Sequence, residues 1–345
     1  MMVSNKRIKL FILVFSLVSA MFSYYVWQVF KTPNFRVEAN HPFELFIPEK
    51  STYESVLDTL KKHDLVRDPL SFRFLAKVLN YPAKIRPGRY VIHSEMGNWE
   101  LVRKLRNGRQ DAYKVVINNF RLKEDIAGRI SHQTDYDSAA IYAILDSTEI
   151  MQKWGFTAET SPALFVPNTY EVNWTTSFPD FLGKMHHAYE KFWTAKRKAE
   201  AEKLGLSPIQ VSVLASIVYG ETKKADEQAR VAGVYWNRLQ AKMPLQADPT
   251  VVFAWKDFSI KRVTSKYTAL NSPYNTYKNV GLPPGPISIV PSDVIDRVLH
   301  LEHHQYIYFC AKEDFSGYHS FAVTYAEHMQ NAANYQKALD QNKIH

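Results

Sequence analysis

The chain has 345 residues, of which 46% are hydrophobic, and nothing in it suggests collagen, a long coiled coil, a short repeat or a low-complexity tract. Its length is sufficient for two or more compact units, and its one cysteine, Cys310, excludes an intrachain disulfide. The net charge of +9 suits an anionic partner, but the basic residues are interspersed with acidic ones, so nucleic-acid binding is not expected.

An uncharged N-terminal stretch predicts a membrane anchor at residues 1–31. Leu10–Phe30 is long enough to cross a bilayer as a helix, for which about 20 residues suffice. The basic stretch Lys6–Lys9 precedes it, which favours a cytoplasmic N-terminus, with the rest of the chain periplasmic, outside a single-pass inner (plasma) membrane anchor. A signal peptide cleaved after Val18–Ala20 is the alternative. We favour the retained anchor, because the apolar stretch continues well beyond Ala20.

Residues 32–110 are predicted to form a small α/β subdomain after a linker that ends near residue 40. Apolar alternation, capping residues and a closing glycine mark its elements. They are a strand at Phe43–Pro48, a helix that begins in a capping box of Ser51 and Glu54, a helix at Pro69–Leu79, a strand that ends at Ile92, and a helix that ends at Gly108.

Residues 111–175 are predicted to be a connecting α/β segment, and residues 176–345 a mainly helical domain with a few short strands. The connecting segment has a strand at Tyr113–Ile117, a helix near Leu122–Ser131 and short helices within 137–154. The predicted fold class is therefore α+β, with an N-terminal transmembrane helix ahead of both parts.

In the helical domain, the apolar periodicity changes to that of long helices. Its predicted elements are helices at Pro179–Leu204, Ser207–Glu221 and Glu227–Lys242, a short extended segment at Asp248–Trp255, a loop rich in proline and asparagine at 271–291, a helix from about 292, a strand at Tyr306–Cys310 and a final helix from Tyr325. Long ordered loops are often binding loops. Cys310 is expected to be a small buried apolar residue in its strand.

The histidines do not form a recognisable metal motif. His300, His303 and His304 have helical spacing, and His186 and His187 are adjacent, but there is no H-E-x-x-H sequence and no cysteine cluster. A P-loop, a dinucleotide-binding glycine fingerprint and a G-x-S-x-G motif are also absent from the sequence. We therefore predict neither a metal nor a cofactor.

One carboxylate lies at the end of an apolar predicted helix. Glu221 shares a helical face with Leu214 and Val218, and the next helix offers a matching stripe that consists of Ala229, Ala232, Trp236 and Leu239. A solvated glutamate at a helix end is the commoner arrangement, since burial of an unpaired carboxylate is costly. Apolar surroundings, however, raise the pKa of a carboxyl group and keep it protonated, which predicts that Glu221 is a general acid.

Polar and aromatic residues that follow this helix suit a sugar ligand. The candidate substrate-binding residues are Asn237, Gln246, Asp248, Asn275 and Thr276, with Tyr274 and Tyr277 as stacking surfaces. Sugars need hydrogen-bonding groups and flat aromatic faces, and cleavage of a glycosidic bond needs an acid that protonates the leaving oxygen. The pattern therefore favours a protein that acts on a glycan.

Several motifs resemble one known family in order and spacing. They are "LFVPNTYEV" (Leu164–Val172), "ASIVYGET" (Ala215–Thr222), "VAGVYWNRLQAKMPLQADPTVVFA" (Val231–Ala254), "YNTYKNVGLPPGPI" (Tyr274–Ile287) and "YIYFCAKEDFSGYHSF" (Tyr306–Phe321). Together they resemble the endolytic murein transglycosylases of the YceG/MltG-like type. The resemblance extends over nearly the whole chain, from the membrane segment to the C-terminus.

The resemblance implies a lytic transglycosylase, which is a lyase that cleaves the bond between N-acetylmuramic acid and N-acetylglucosamine inside peptidoglycan strands. The products are 1,6-anhydromuramoyl ends, and the family's catalytic glutamate falls on Glu221. The resemblance also implies a LysM-like fold for residues 32–110 and a catalytic domain at 176–345. It further implies termination of nascent strands, with peptidoglycan synthases as candidate partners.

The chain departs from the family pattern at four positions near these motifs. Tyr219 and Gly220 stand where the family has glutamate and lysine, Ala247 where it has threonine, and Asn168 where aspartate is common. The loss of a second carboxylate at Tyr219 suggests that this group is not essential to the reaction. Acid–base chemistry is not expected at Asn168.

Two other functions stay open at the level of the sequence. A muramidase-type hydrolase would use a pair of carboxylates, and Asp248 is the candidate partner of Glu221. A non-catalytic scaffold that binds the cell wall would use the small N-terminal unit and would leave Glu221 a structural residue. A single carboxylate that acts first as acid and then as base agrees with the absence of an obvious second one, which favours the transglycosylase over the hydrolase. The whole set of motifs argues against the scaffold through the resemblance alone.

Overall fold

The computed structural model describes residues 5–342, and 51% of the protein is helical. The chain forms two compact units by the clustering of its contacts. The first unit comprises the residues up to Tyr113 together with 171–176, and the second comprises 114–170 together with the residues from Ser177 onward. The α+β class with a few short strands is confirmed.

The N-terminal apolar stretch is a single helix, α1 (Asn5–Lys31). Its segment Arg7–Lys31 has a mean hydropathy of 1.9 over the most apolar window, and no part of that window is buried. Large apolar side chains such as Phe11 and Met21 are exposed along its length. The helix is therefore long and apolar enough to cross a membrane, as the sequence predicted.

The first unit continues as strand, helix, helix, strand, helix. These elements are β1 (Phe43–Ile47), α2 (Tyr53–Lys62), α3 (Pro69–Val78), β2 (Gly88–Ile92) and α4 (Asn98–Asn107). The two strands pair antiparallel, with Leu45 opposite Tyr90. Their inward side chains pack on the buried faces of the helices, as alternation in a half-buried sheet requires.

Capping residues determine where the helices of this unit begin and end. The predicted end of α4 at Gly108 is confirmed, because this residue adopts a left-handed conformation with φ of 65°. The predicted capping box was wrong by one residue. Thr52, not Ser51, is the N-cap of α2, and its partner is Ser55 rather than Glu54. A hydroxyl at either of two adjacent positions fits the same sequence pattern, so the pattern alone did not separate them.

The predicted connecting segment contains β3 (Tyr113–Ile117), α5 (Lys123–His132), α6 (Ser138–Leu145), α7 (Thr148–Met151) and β4 (Asn168–Val172), and β3 pairs with β4. Two short 3₁₀ turns, Gln152–Trp154 and Ser161–Leu164, lie between α7 and β4. The strand at Tyr113 and the helix near Leu122 are confirmed as predicted.

The second unit then continues with α8 (Phe178–Phe192), α9 (Ala195–Lys203), α10 (Pro208–Glu221), α11 (Gln228–Gln240), α12 (Asp248–Trp255), α13 (Ser265–Thr268) and α14 (Ser292–Leu299). It ends with the antiparallel pair β5 (Tyr308–Ala311) and β6 (His319–Ala322), followed by α15 (Tyr325–Gln341). The helices predicted at Ser207–Glu221, Glu227–Lys242, 292 and Tyr325 are confirmed.

Two predictions for this unit were wrong. The single helix at Pro179–Leu204 is two helices, because the backbone leaves the helical conformation at Trp193 and Thr194 caps a new helix with its hydroxyl. The segment Asp248–Trp255 is not extended but forms α12, with Pro249 in its first turn, where a proline suits a helix. A short apolar run fits a strand and a buried helix equally well, so periodicity could not decide between them.

Cys310 lies in a strand, as predicted, but it is half-buried rather than buried. Histidines, cysteines and carboxylates do not come together in groups of three or more that could hold a metal ion anywhere between residues 5 and 342.

Candidate functional site

Glu221 is the last residue of α10, whose middle part is buried on every side. Ser207 caps the helix with its hydroxyl, and Leu214 and Val218 are fully buried. The helix ends because Thr222 is extended, with φ of −137°. The apolar surroundings predicted for Glu221 are therefore present, although they enclose the whole helix rather than one face.

The carboxyl group of Glu221 belongs to a half-buried residue in the wall of two cavities, and it accepts one strong hydrogen bond. The Tyr235 hydroxyl on α11 donates to Glu221 Oε1 at 2.7 Å. Burial raises the pKa of Glu221 to about 7, and the neighbouring charge of Asp248 adds to the rise. The hydrogen bond from Tyr235 and the charge of Arg238 oppose it. The group is thus divided between its acid and its carboxylate form near neutral pH, which is what an acid–base catalyst needs.

Asp248, at the start of α12, is the second carboxyl group beside the same cavities. The Tyr277 hydroxyl donates to its Oδ1 at 2.5 Å. Burial raises the pKa of Asp248 above its usual range, while this hydrogen bond lowers it. Each of the two carboxyl groups therefore has a tyrosine hydroxyl that fixes its orientation.

Gly220 allows the end of α10 to approach the start of α12. A Cβ atom at Gly220 would lie 2.7 Å from Cβ of Pro249, closer than two carbon atoms can pack. Since Gly220 precedes Glu221 and Pro249 follows Asp248, this contact helps to hold the two carboxyl groups at one place.

Replacement of Gly220 by alanine is expected to lower both the melting temperature and the turnover. Alanine favours a helix over glycine by about 1 kcal/mol, but here the added methyl group would push α12 away from α10. Gly128→Ala in α5 is the matched control, because nothing lies within 4 Å of the added Cβ atom, and it should raise the melting temperature. Thermal unfolding of both variants checks this, and a rise in both would show that the Gly220 contact relaxes easily.

Arg238 on α11 is buried and joins the loop before α12 to the segment before β5. Its guanidinium donates to the carbonyl oxygens of Ile307 at 2.6 Å, Pro244 at 3.1 Å and Leu245 at 2.9 Å. It also donates to Oε1 of Gln246 at 3.2 Å. Five donors in a fixed plane can satisfy several acceptors at once, so one side chain sets the path of this loop.

Three of the predicted substrate-binding side chains bind the protein's own chain. Asn275, which is fully buried, donates to the carbonyl oxygens of Thr268 at 2.9 Å and Leu270 at 2.7 Å. Asn237 donates to the carbonyl oxygens of His304 at 2.8 Å and Tyr306 at 2.9 Å.

The third of these side chains is Thr276, which is also buried. Its hydroxyl accepts from the Ala247 amide at 3.0 Å and lies 2.8 Å from the Thr250 hydroxyl. The loop at 271–291 is thereby attached to the first turn of α12.

The other four predicted residues are not fully buried, and three of them line a cavity. Gln246, Asp248 and Tyr277 line a cavity together with Glu221. Tyr274 packs its ring on Phe253, with centroids 4.8 Å apart, and neither cavity beside Glu221 includes it in its wall.

Two cavities adjoin Glu221 and Asp248. The larger has a volume of about 370 Å³, and its wall includes Tyr219, Pro249, Phe253, Phe258 and Ile287. The smaller has a volume of about 310 Å³, and its wall includes Arg238, Gln246, Tyr277, Phe309 and His319. Because both cavities contain Glu221 and Asp248 in their walls, the two carboxyl groups lie where the cavities meet. These volumes fall within the usual range for ligand sites.

Four residues of this site were not predicted from the sequence. Tyr235 and Arg238 lie on a buried stripe of α11 that also contains Val231, whereas the stripe predicted through Trp236 and Leu239 is only partly buried. The other two are Glu227, which is buried, and His319, which is half-buried. Glu227 accepts from the His319 amide at 2.8 Å and lies 2.7 Å from His319 Nδ1.

The only sequence signal for the Glu227–His319 pair was the position of His319 inside the motif at Tyr306–Phe321. Glu227 and His319 are 92 positions apart. No periodicity argument connects residues so far apart.

Comparison with known proteins identifies a family and several similar proteins. Residues 45–334 match the YceG-like family. An endolytic murein transglycosylase of Bacillus subtilis is 29% identical over 84% of this chain and 83% of its own length. One from Streptococcus pneumoniae is 26% identical over 95% of this chain, which spans 66% of that protein.

A solved structure supports the fold as well. The crystal structure of a YceG-like protein from Listeria monocytogenes is 27% identical and covers 84% of this chain and 99% of its own, with a TM-score of 0.54. Since the family match extends over most of the chain and includes Glu221, Asp248 and the elements that position them, the chain belongs to the YceG-like family.

Proposed function

We propose that the protein is an endolytic murein transglycosylase, a lyase that acts on the glycan strands of peptidoglycan with Glu221 as its acid and base. The observation that carries this proposal is a half-buried carboxyl group, whose pKa is raised to about 7 and which lies in the walls of two cavities. The printed names of the Bacillus and Streptococcus relatives support the same activity.

The chemistry needs one group that first donates and then accepts a proton. Glu221 protonates the oxygen that links N-acetylmuramic acid to the next N-acetylglucosamine, and the bond from the muramoyl C1 to that oxygen breaks. The 6-hydroxyl of the same muramoyl residue then attacks C1 and gives its proton to Glu221. A 1,6-anhydro bond forms, Glu221 regains its proton, and no water is consumed.

The surrounding side chains prepare Glu221 for both steps. Tyr235 holds the carboxyl group in one orientation through its 2.7 Å hydrogen bond, so the other oxygen is the one available to the substrate. Asp248 contributes negative charge near the developing positive charge of the sugar ring. We assign Asn237, Asn275 and Thr276 to support of the site, and Gln246, Asp248 and Tyr277 to contact with the substrate.

The two cavities support cleavage within a strand rather than at its end. Sugar units on both sides of the cleaved bond can be bound, because the two cavities share only Glu221 and Asp248 and have otherwise different walls. We assign one side of the cleaved bond to each cavity. A pocket closed on one side would instead favour terminal units.

A muramidase-type hydrolase is the second candidate, and it rests on one observation. Asp248 lines both cavities beside Glu221, so a pair of carboxyl groups is present. In a hydrolase, one of these would direct a water molecule or act as the nucleophile.

The masses of released muropeptides distinguish the two reactions. The full chain in detergent would be incubated with purified peptidoglycan, and the products analysed by mass spectrometry. Products lighter than hydrolytic muropeptides by one water establish the transglycosylase. Reducing ends without this mass difference establish the hydrolase, and the absence of any product at all contradicts both enzymatic proposals in favour of a wall-binding scaffold.

The N-terminal parts fit a role beside the membrane. We propose that α1 anchors the protein in the inner membrane with its basic N-terminus in the cytoplasm, so that the cavities lie on the side of the cell wall. We further propose a LysM-like role in glycan binding for residues 32–110. Its order of strand, helix, helix and strand, with the strands antiparallel, supports this. Peptidoglycan synthases remain the proposed partners.

The raised pKa of Glu221 predicts how stability depends on pH. The folded protein keeps a proton on Glu221 up to about pH 7, whereas the unfolded chain releases it near the ordinary value of 4.5. The folded state thus binds more protons within this interval, so this group lowers the free energy of unfolding as pH rises from about 4.5 to 7.

In Glu221→Gln this contribution is absent. The variant should therefore gain stability relative to the wild type, by about 2.5 kcal/mol between pH 5 and pH 8. Urea unfolding at both pH values measures this difference. If the difference between the two proteins is the same at pH 5 and pH 8, Glu221 has an ordinary pKa.

A further inference from the structure

The larger cavity beside Glu221 has three cationic side chains in its wall. These are Arg121, Lys223 and Lys261. Arg121 lies two residues before the start of α5, Lys223 lies two residues beyond Glu221, and Lys261 lies between α12 and α13. Across residues 5–342, none of the three forms an ion pair with a carboxylate, although many other surface cations do, such as Lys256 with Glu124.

Aromatic rings, rather than carboxylates, hold two of these cations. The Arg121 guanidinium lies 4.6 Å from the centroid of the Phe258 ring, and the Lys223 ammonium lies 3.1 Å from that of the Tyr219 ring. Lys223 also donates to the carbonyl oxygen of Tyr219. A ring face attracts a cation without cancelling its charge, so the charges remain available to a ligand.

Within residues 5–342, neither carboxyl group of this cavity, Glu221 or Asp248, forms an ion pair with these three cations. Glu221 and Asp248 both have a raised pKa because they are buried, and each accepts its hydrogen bond from a tyrosine. Burial and the charge of Arg121 lower the pKa of Lys223 to about 8. Arg121 therefore repels the charged form of Lys223, and an anion bound between them would relieve this repulsion.

Tyr219 places an aromatic ring, and no charge, beside Lys223. The wall of the larger cavity therefore contains three cationic side chains, and its carboxyl groups are those of Glu221 and Asp248.

We propose that Arg121, Lys223 and Lys261 form a binding site for a carboxylate carried by the muramoyl residue of the substrate. The proposal rests on the proposed function, since it names the part of the strand that the larger cavity receives. The lactyl group of muramic acid carries the stem peptide, whose carboxylates project from the strand. A strand without stems presents the lactyl carboxylate itself. Arginine and lysine bind either group through charge-assisted hydrogen bonds.

The test measures binding without cleavage, in the full chain that carries Glu221→Gln. Three glycan strands serve as probes: one with free stem carboxylates, one whose stem carboxylates are chemically amidated, and one whose stems have been removed by an amidase. Arg121→Gln, Lys223→Gln and Lys261→Gln are added singly. Lys203→Gln in α9 is the control, because Lys203 is exposed and lies in the wall of neither cavity. Dissociation constants come from titration calorimetry.

Each of the three replacements should raise the dissociation constant about fivefold for strands that carry the recognised carboxylate. The amidated strand should bind more weakly to the unmodified site and should respond little to the replacements. An effect on the stem-bearing strand alone identifies the stem carboxylates, and an effect on the stripped strand alone identifies the lactyl group. The Lys203 control should change nothing.

Two results would overturn the proposal. One is an equal loss of affinity for amidated and charged strands, which would mean that the cations act through the fold or through the sugar. The other is the absence of any loss. The proposed function has a different test, and it fails if the wild-type chain releases no anhydro products. The two results are distinguishable, because the binding measurement does not depend on turnover.

Discussion

Glu221→Gln is expected to reduce the release of anhydro muropeptides by about a thousandfold. Glutamine can keep the hydrogen bond from Tyr235 and fills the same space, but it can neither donate a proton to the leaving oxygen nor accept one from the 6-hydroxyl. The loss should appear in kcat, with binding of the strand nearly unchanged, because the proton is transferred only in the transition state.

Tyr235→Phe is the control for this result, because it changes the surroundings of Glu221 and leaves the carboxyl group in place. It removes the donor that lowers the pKa of Glu221, so the pKa should rise and the pH optimum of the reaction should move to higher pH. The rate should fall far less than in Glu221→Gln. Rate profiles against pH of both variants and the wild type provide the check. A Glu221→Gln protein that still cleaves glycan strands at near the wild-type rate would rule out Glu221 as the acid and base.

Arg238→Met is expected to lower the free energy of unfolding by about 3 to 5 kcal/mol. Methionine fills much of the volume of the arginine stem but donates no hydrogen bond. The carbonyl oxygens of Pro244, Leu245 and Ile307 would then lose this donor inside the protein. Activity should fall as well, since the loop that leads to Asp248 loses its attachment.

Arg230→Met on the same helix provides the comparison. Arg230 is partly exposed, with 42% of its side chain accessible, and forms an ion pair with the equally accessible Glu302 at 3.0 Å. Such pairs contribute about 1 kcal/mol or less. Urea unfolding should therefore separate the two variants clearly. An equal loss of unfolding free energy in both variants would show that the buried hydrogen bonds of Arg238 stabilise the protein no more than the exposed ion pair of Arg230 does.

The sequence predicted the helices that carry Glu221 and its neighbours because their signals are local. Ser207 and Pro208 mark the start of α10, and Gly108 marks the end of α4. The errors arose where local signals permit two outcomes. A short run of β-branched and aromatic residues at Asp248–Trp255 fits a strand until packing against α10 makes it a helix.

The candidate site was predictable only in part for the same physical reason. Glu221 was predicted as an acid among apolar residues, and Asp248 as one of the polar residues that follow this helix and suit a sugar ligand. The hydrogen bond of Tyr235 and the interactions of Arg238 depend on which side of α11 turns inward, and the sequence offered two plausible stripes. Asn275 and Thr276 have the side chains that bind sugars, yet the fold uses both to hold a loop.

The position of Glu221 between two cavities has a consequence for the length of the fragments that the enzyme leaves. We assigned one side of the cleaved bond to each cavity. On that assignment, a substrate that loses its contacts on one side loses rate as well as affinity. Each cleavage produces shorter glycan fragments, and shorter fragments fill both cavities at once less often. Digestion should therefore slow on its own as the pieces shorten, and short oligosaccharides should persist without any inhibitor to protect them.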